Sequence, residues 1–233
     1  MQIKSVTETV LHDLRVKIIV GDLAPGSKLG EKELSSNFGI SRAPLREAFR
    51  LLENEHLVIY YPRKGCYVTE ISLKNCREIY QVRAMMECFC VDLLKAKGIK
   101  DLPKVESALE ETVNLTIPSS EGAYKKYDYL KTIANFHISL VESAGNTQLS
   151  SFYHAIFPNL ARYQSIYTYI SGLMNKSYQE HREFLRLVKN CDYEEAKDYL
   201  RCHINKFVKI IENKISDDEE AMQDELLKKS QVY

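Results

Sequence analysis

Tryptophan is absent from this chain, and glycine and proline are scarce, with nine and six in 233 residues. So few chain breakers exclude a collagenous, proline-rich or glycine–serine linker architecture and leave room for long helices. An excess of charge of either sign is also missing, since 32 Lys and Arg balance 32 Asp and Glu. That balance excludes binding to nucleic acid through bulk positive charge, so any such affinity must come from local placement of cations. No run of about eighteen apolar residues occurs, and the N-terminus lacks a charged segment followed by an apolar stretch. Neither a membrane span nor export is expected, and a cytoplasmic location follows. The six cysteines are scattered without disulfide-framework spacing, so reduced thiols are expected. Cys88-x-Cys90 has no second pair at zinc-site spacing and reads as packing.

What is present is a 45% hydrophobic chain, long enough to bury a core in each of two domains. Its charge is unevenly distributed. Residues 1–72 carry ten Lys/Arg and nine Asp/Glu, residues 73–215 carry twenty and seventeen, and residues 216–233 carry two and six.

Near the N-terminus, Val6, Val10, Leu14 and Ile18 step by four, with Ile3 and Leu11 beside them, and Gly21 closes this helix. Leu23-Ala24-Pro25-Gly26 is a turn. A short helix over 31–37 is broken by Gly39, and Ser41 caps a third helix in which Pro44 is tolerated in the first turn. In that helix Leu45, Ala48, Phe49 and Leu52 form one face, while Arg42, Arg46 and Arg50 form a separate stripe. Such a helix packs on its own domain and offers guanidinium forks to a major groove, where each can donate two hydrogen bonds to a guanine edge. The strand-like runs 57–61 and 66–71 flank Pro62-Arg63-Lys64-Gly65, a hairpin with a basic tip. The alternative is a three-helix domain with a merely solvated arginine face.

From Ser72 onward the pattern is helical, with spans expected at 73–97, 103–116, 121–144, 147–155, 158–171, 176–190 and 193–214. His137 lies on a stripe with Ile133, Leu140 and Ala144. His181 lies with Tyr178, Phe184 and Val188, and His203 with Ala196, Leu200, Phe207 and Ile210. A single inward histidine is ordinarily a neutral core residue; three on inward faces of one bundle suggest a facial site for a divalent metal. Arg83 and Glu87 are spaced as an i,i+4 ion pair. The tyrosines between Tyr153 and Tyr178 read as bundle packing that also offers hydroxyls.

Residues 8–71 resemble the GntR family of bacterial transcription regulators. The resemblance rests on the Gly21-Asp22-Leu23-Ala24-Pro25-Gly26 turn, Glu31-Lys32-Glu33-Leu34, Phe38-Gly39-Ile40-Ser41-Arg42-Ala43-Pro44-Leu45-Arg46-Glu47-Ala48 and the Pro-x-x-Gly wing. It implies groove contacts from Lys32, Arg42, Arg46, Lys64 and Gly65, and a phosphate bond from Ser41. Arg50 is assigned to phosphate, and Arg63 lies beside Lys64 at the wing tip.

Residues 73–214 are similar to the FCD effector domain of the FadR subgroup, through 80–87, Asn135-Phe136-His137 with Ala144-Gly145-Asn146, Glu180-His181-Arg182 and Cys202-His203-Ile204. That similarity implies a divalent ion (zinc, nickel or manganese type) on one Asp and three His, taken here by His137, His181 and His203. It also implies a small carboxylate effector, anchored by Arg83. The aspartate position, four residues before the first histidine, is Ile133 in this chain. Asn135 does not replace it, because two residues turn a helix by about 200°. A metal site and a metal-free histidine pocket therefore both remain open.

These readings give a mainly α protein. A winged helix-turn-helix of three helices and a β-hairpin spans 1–71, an all-α bundle spans 72–215, and an acidic extension spans 216–233. The expected function is a ligand-responsive, homodimeric repressor on a pseudo-palindromic duplex operator, with no catalytic residues. The competing class is a metal-dependent enzyme that uses the histidines. It lacks both a carboxylate base at the position before His137 and a glycine-rich phosphate loop.

Overall fold

The computed structural model describes residues 5–118, 122–168 and 173–230, with side chains at 5–118, 122–166, 168 and 176–216; Ile3 lies outside them. Helix α1 (Val6–Ile19) begins at a reciprocal cap: the Glu8 amide donates to Ser5 Oγ, and the Ser5 amide donates to Glu8 Oε2 at 2.7 Å. Val10, Leu11, Leu14 and Ile18 are buried as their spacing requires, while Val6 in the first turn stays exposed. Helix α2 (Glu31–Phe38) ends at Gly39, whose φ of 64° lets the chain reverse at once into α3 (Arg42–Asn54).

The hairpin strands are β2 (Val58–Tyr61) and β3 (Gly65–Val68). They gain a third strand, to which the sequence reading assigned no structure: β1 (Lys28–Leu29). The sheet is antiparallel in the order β1-β3-β2, with Leu29 opposite Cys66 and Tyr61 opposite Gly65. Two residues are too short to show alternation, which is why β1 left no periodic signal.

The second half consists of α4 (Leu73–Lys97), α5 (Pro103–Glu110), α6 (Ala123–Ser143), α7 (Thr147–Thr168), α8 (Leu173–Lys189) and α9 (Tyr193–Ser230). Three expected spans are corrected. The span 103–116 stops at Glu110 and continues as i→i+3 turns, with the Thr112 hydroxyl donating to the Leu109 carbonyl at 2.7 Å. The break expected at Pro158 does not occur, because α7 runs straight through it. An interior proline costs about 3 kcal/mol; burial of Tyr153, Leu160, Ala161 and Tyr163 around it offsets that loss. The helix expected over 193–214 runs further, its backbone continuing through the acidic segment to Ser230. Of the expected 158–171 helix, residues 169–171 lie outside the described residues.

The two halves share packing. The core of α1, α3 and the sheet extends into Ala123, Tyr127 and Leu130 of α6 and Ala161 of α7. At the junction the buried Arg162 donates to the Thr69 hydroxyl at 2.6 Å and to the Thr69 carbonyl. Tyr163 Oη donates to the Ser72 carbonyl and accepts from Asn75 Nδ2, each at 3.1 Å. Helix α7 therefore grips the segment that joins wing to bundle.

Candidate DNA-reading face and candidate metal centre

In α3 the apolar face is fully inside: Leu45, Ala48 and Leu52 are 0% exposed. Arg42, Arg46 and Arg50 stand outside it, as do Lys32 on α2 and Arg63 and Lys64 on the wing tip. The tip is a three-residue turn closed by the Lys64 amide bonding the Tyr61 carbonyl, with Arg63 in the left-handed region at φ 66°. Between α3 and the hairpin lies a cleft of about 340 Å³ lined by Arg46, Phe49, Arg50, Glu53, Tyr60 and Cys66.

Two details depart from the sequence reading. Ser41 occupies the N-cap position of α3 with extended backbone, yet its side chain makes no capping bond, so its exposed hydroxyl is uncommitted. Arg46 is held rather than free: its Nε and Nη2 both donate to Glu31 Oε2, at 3.0 and 2.9 Å. Glu31 carried no role in the sequence reading. Arg50 makes only a long contact to Glu47, at 3.4 Å.

In the bundle, His137 on α6, His181 on α8 and His203 on α9 come together, with one ligand atom from each within 4.8 Å of the others. His181 Nε2 and His203 Nε2 are 3.1 Å apart. Two nitrogens each about 2.0–2.1 Å from one ion stand roughly 2.9–3.4 Å apart, so this pair already has coordination spacing. Phe136 stacks on His181 with ring centroids 4.0 Å apart, fixing that imidazole.

Two carboxylates orient the other two rings. His137 Nδ1 donates to Glu87 Oε2 at 2.9 Å, and His203 Nδ1 donates to Glu180 Oε2 at 2.6 Å. A proton held on Nδ1 leaves Nε2 as the lone-pair donor, the arrangement by which an outer carboxylate prepares a metal-binding histidine. Burial, reinforced by the nearby Arg83 charge, pushes the His137 imidazole down to about 4, and burial sends His181 well below its ordinary value. Both rings are therefore neutral at physiological pH, as ligands must be. The donor set fits a divalent ion of the zinc, nickel or manganese class.

Glu87 is completely buried and saturated. Besides His137 it accepts from Arg83 Nε and from Tyr153 Oη, each at 2.7 Å. Burial works to raise its pKa, but the Arg83 charge and the His137 and Tyr153 donors hold the carboxyl well below the usual range. The i,i+4 pair read from the sequence is thus present, and Arg83 also lies 5.3 Å over the Tyr80 ring. Ile133 is buried one turn before His137 and brings no oxygen.

Sequence reasoning gave Glu180 no role, and it paired Glu87 only with Arg83. Both carboxylates reach histidines on other helices, a tertiary relationship that periodicity within one helix does not encode. Cys88 and Cys90 are buried packing residues.

An arginine-faced helix in a winged domain, joined to a histidine-centred bundle, defines a DNA-binding regulator with a ligand-sensing half. Comparison with known proteins agrees. Residues 6–68 match the model for bacterial regulatory proteins of the gntR family, and residues 78–206 match the FCD domain. The HTH-type transcriptional regulator YdhC of Bacillus subtilis is 29% identical over 196 residues, covering 83% of this chain and 85% of its own. The gluconate operon transcriptional repressor of Bacillus licheniformis is 25% identical over 181 residues, covering 78% and 70%. Among solved structures, a GntR-type regulator of Rhodococcus sp. RHA1 superposes with a TM-score of 0.69 at 21% identity, covering 90% of this chain and 99% of its own. Escherichia coli McbR/YncC gives 0.68 at 21% identity, with coverage of 91% and 100%; both likenesses speak to fold alone. The chain belongs to the GntR family of bacterial regulatory proteins, with an FCD domain as its C-terminal half. It is a transcriptional regulator.

Proposed function

We propose that residues 1–71 read duplex DNA and that residues 72–215 sense a small carboxylate through a histidine-bound divalent ion, the whole acting as a homodimeric repressor in the cytoplasm. Arg42 and Arg46 read bases, Lys32 and the Arg63-Lys64-Gly65 tip enter the grooves, and Ser41 and Arg50 hold phosphates. A two-fold dimer calls for a pseudo-palindromic operator. Met85 and Phe89, 64% and 47% exposed one turn apart on α4, offer an apolar stripe for the second copy.

The observation that carries the sensing half is the combination at the cluster: three imidazoles, two outer carboxylates and an apolar residue at position 133. His137, His181 and His203 would hold the ion, which would supply Lewis acidity for an incoming carboxylate. Without a protein oxygen among the ligands, a coordination position stays open for that group. Arg83 bonds Glu87 through Nε, and its terminal amino groups would be the donors for an effector carboxylate.

The competing catalytic reading would need a carboxylate acting as base at the metal. Glu87 is consumed by Arg83, Tyr153 and His137, and Glu180 by His203 and Lys206, which favours a sensor. The test uses Arg83→Lys, which keeps a cation against Glu87 but removes the fork. Gluconate or citrate should raise the melting temperature of metal-loaded wild type and do so much less in the variant. Equal shifts would confine Arg83 to its ion pair.

A further inference from the structure

Four of the nine lysines and arginines described in residues 5–71 are ion-paired: Arg15 with Glu55, Lys17 with Asp13, Arg46 with Glu31 and Arg50 with Glu47. The other five, Lys28, Lys32, Arg42, Arg63 and Lys64, have no ion pair among the described residues. Lys32, Arg42, Arg63 and Lys64 already belong to the DNA-reading set on α2, α3 and the wing tip. Lys28 is the fifth, and it lies on β1, a strand with no assigned role.

The sheet fixes where that charge stands. Lys28 pairs with Tyr67, and Tyr61 with Gly65, so all four share one face, opposite the buried Leu29, Cys66 and Val68. Tyr61 meets Tyr67 edge-on with ring centroids 5.7 Å apart, and the Lys28 ammonium lies 5.8 Å over the Tyr67 ring. The Lys28 stem runs beside the wing tip: its Cε is 3.6 Å from the point that a Gly65 Cβ would occupy. Lys28 is exposed, and an aromatic neighbour leaves an ammonium its formal charge and its three donors. The short third strand thus carries a cation to the flank of the wing, with an aromatic ring beneath it.

We propose that Lys28, positioned by the Tyr67 ring, binds a backbone phosphate of duplex DNA at the edge of the groove that the wing tip enters. The inference rests on the DNA-reading role of residues 1–71 and extends its footprint to the strand beside the tip. A minor groove is roughly 6 Å wide. With Lys64 and Gly65 at its mouth, a cation on the flank of the tip meets the bordering strand and not the base edges. That strand presents phosphates, which a lysine binds as a point charge without reading sequence. Lys28 therefore adds affinity and no base preference, in contrast to Arg42 and Arg46.

The experiment measures binding of the full chain, by anisotropy, to a duplex selected from a random pool and to a scrambled one, across a range of salt. Wild type is compared with Lys28→Gln, Lys28→Arg and Arg42→Ala. Each phosphate contact contributes about 0.9 to the slope of log affinity against log salt. A fourfold rise in salt should therefore weaken wild type about 3.5 times more than it weakens Lys28→Gln. Lys28→Gln should lose affinity by the same factor on both duplexes and melt with wild type, while Lys28→Arg should keep the wild-type slope. The proposal is overturned if Lys28→Gln binds with an unchanged salt slope, which would leave Lys28 only steadying the wing. It is also overturned if the loss is confined to the selected duplex, or if Lys28→Arg binds as poorly as Lys28→Gln. A loss of selected-duplex binding in Arg42→Ala alone would remove this inference and keep the DNA-reading role; a wild type that binds neither duplex would remove both.

Discussion

Glu87 accepts the Nδ1 proton of His137 at 2.9 Å, from a helix fifty residues earlier in the chain. The acid missing at position 133 thus has a counterpart one layer out, where it orients the His137 imidazole. Glu180 does the same for His203. The cluster thus sets two imidazoles, His137 and His203, against carboxylates that orient them from behind.

Glu87→Gln should therefore lower metal affinity by about 10–100-fold, the usual effect of losing such an outer partner. Glu87→Ala should in addition destabilise the metal-free protein by about 3–5 kcal/mol, because Arg83 is left buried and unpaired. Metal titration and urea unfolding, run on both variants, separate the two effects.

At the DNA face, Arg46 must leave Glu31 to reach a base. Glu31→Gln should strengthen binding to duplex DNA of any sequence, since it removes both a competitor and a repulsive charge. Arg42→Ala or Arg46→Ala should cost about 1–3 kcal/mol on the preferred sequence and much less on scrambled DNA. Anisotropy titrations with a duplex selected from a random pool check this. Equal losses on both DNAs would reassign the arginines to phosphate.

Much of this arrangement was legible in the sequence. The buried face of α3 and the three inward histidines follow from the 3.6-residue period alone, since each stripe packs within its own helix. Periodicity failed where tertiary packing outweighed local signals. Pro158 reads as a helix end, but burial on both sides carries α7 through it. The bonds from Glu87 to His137 and from Glu180 to His203 join separate helices, so no spacing rule marks them. Strand β1 exists only because β3 offers it a partner.

Acid should weaken the metal-free fold in a defined window. Folded His137 titrates at about 4, below the 6.5 of an unprotected histidine. Between those values the unfolded chain binds the extra proton, so stability falls as pH drops from 6.5 and its loss is complete below 4. The His137 contribution is roughly 3 kcal/mol. Urea midpoints measured across this range should decline in wild type and decline less in His137→Gln.

The thiols should divide sharply. Cys191 and Cys202 are exposed, whereas Cys66, Cys76, Cys88 and Cys90 are buried, and burial pushes the Cys66 and Cys76 thiols up to about 12. Iodoacetamide at pH 8 should label two cysteines in the native protein and all six after unfolding, as intact mass will show.

The central claim is that His137, His181 and His203 form a metal centre. Its most direct test is the metal content of the protein purified from metal-replete cells, compared with His137→Ala/His203→Ala. One divalent ion per wild-type chain, absent from the variant, is the expected result. A wild-type protein that contains no metal and takes up none when zinc, nickel or manganese is added would contradict it.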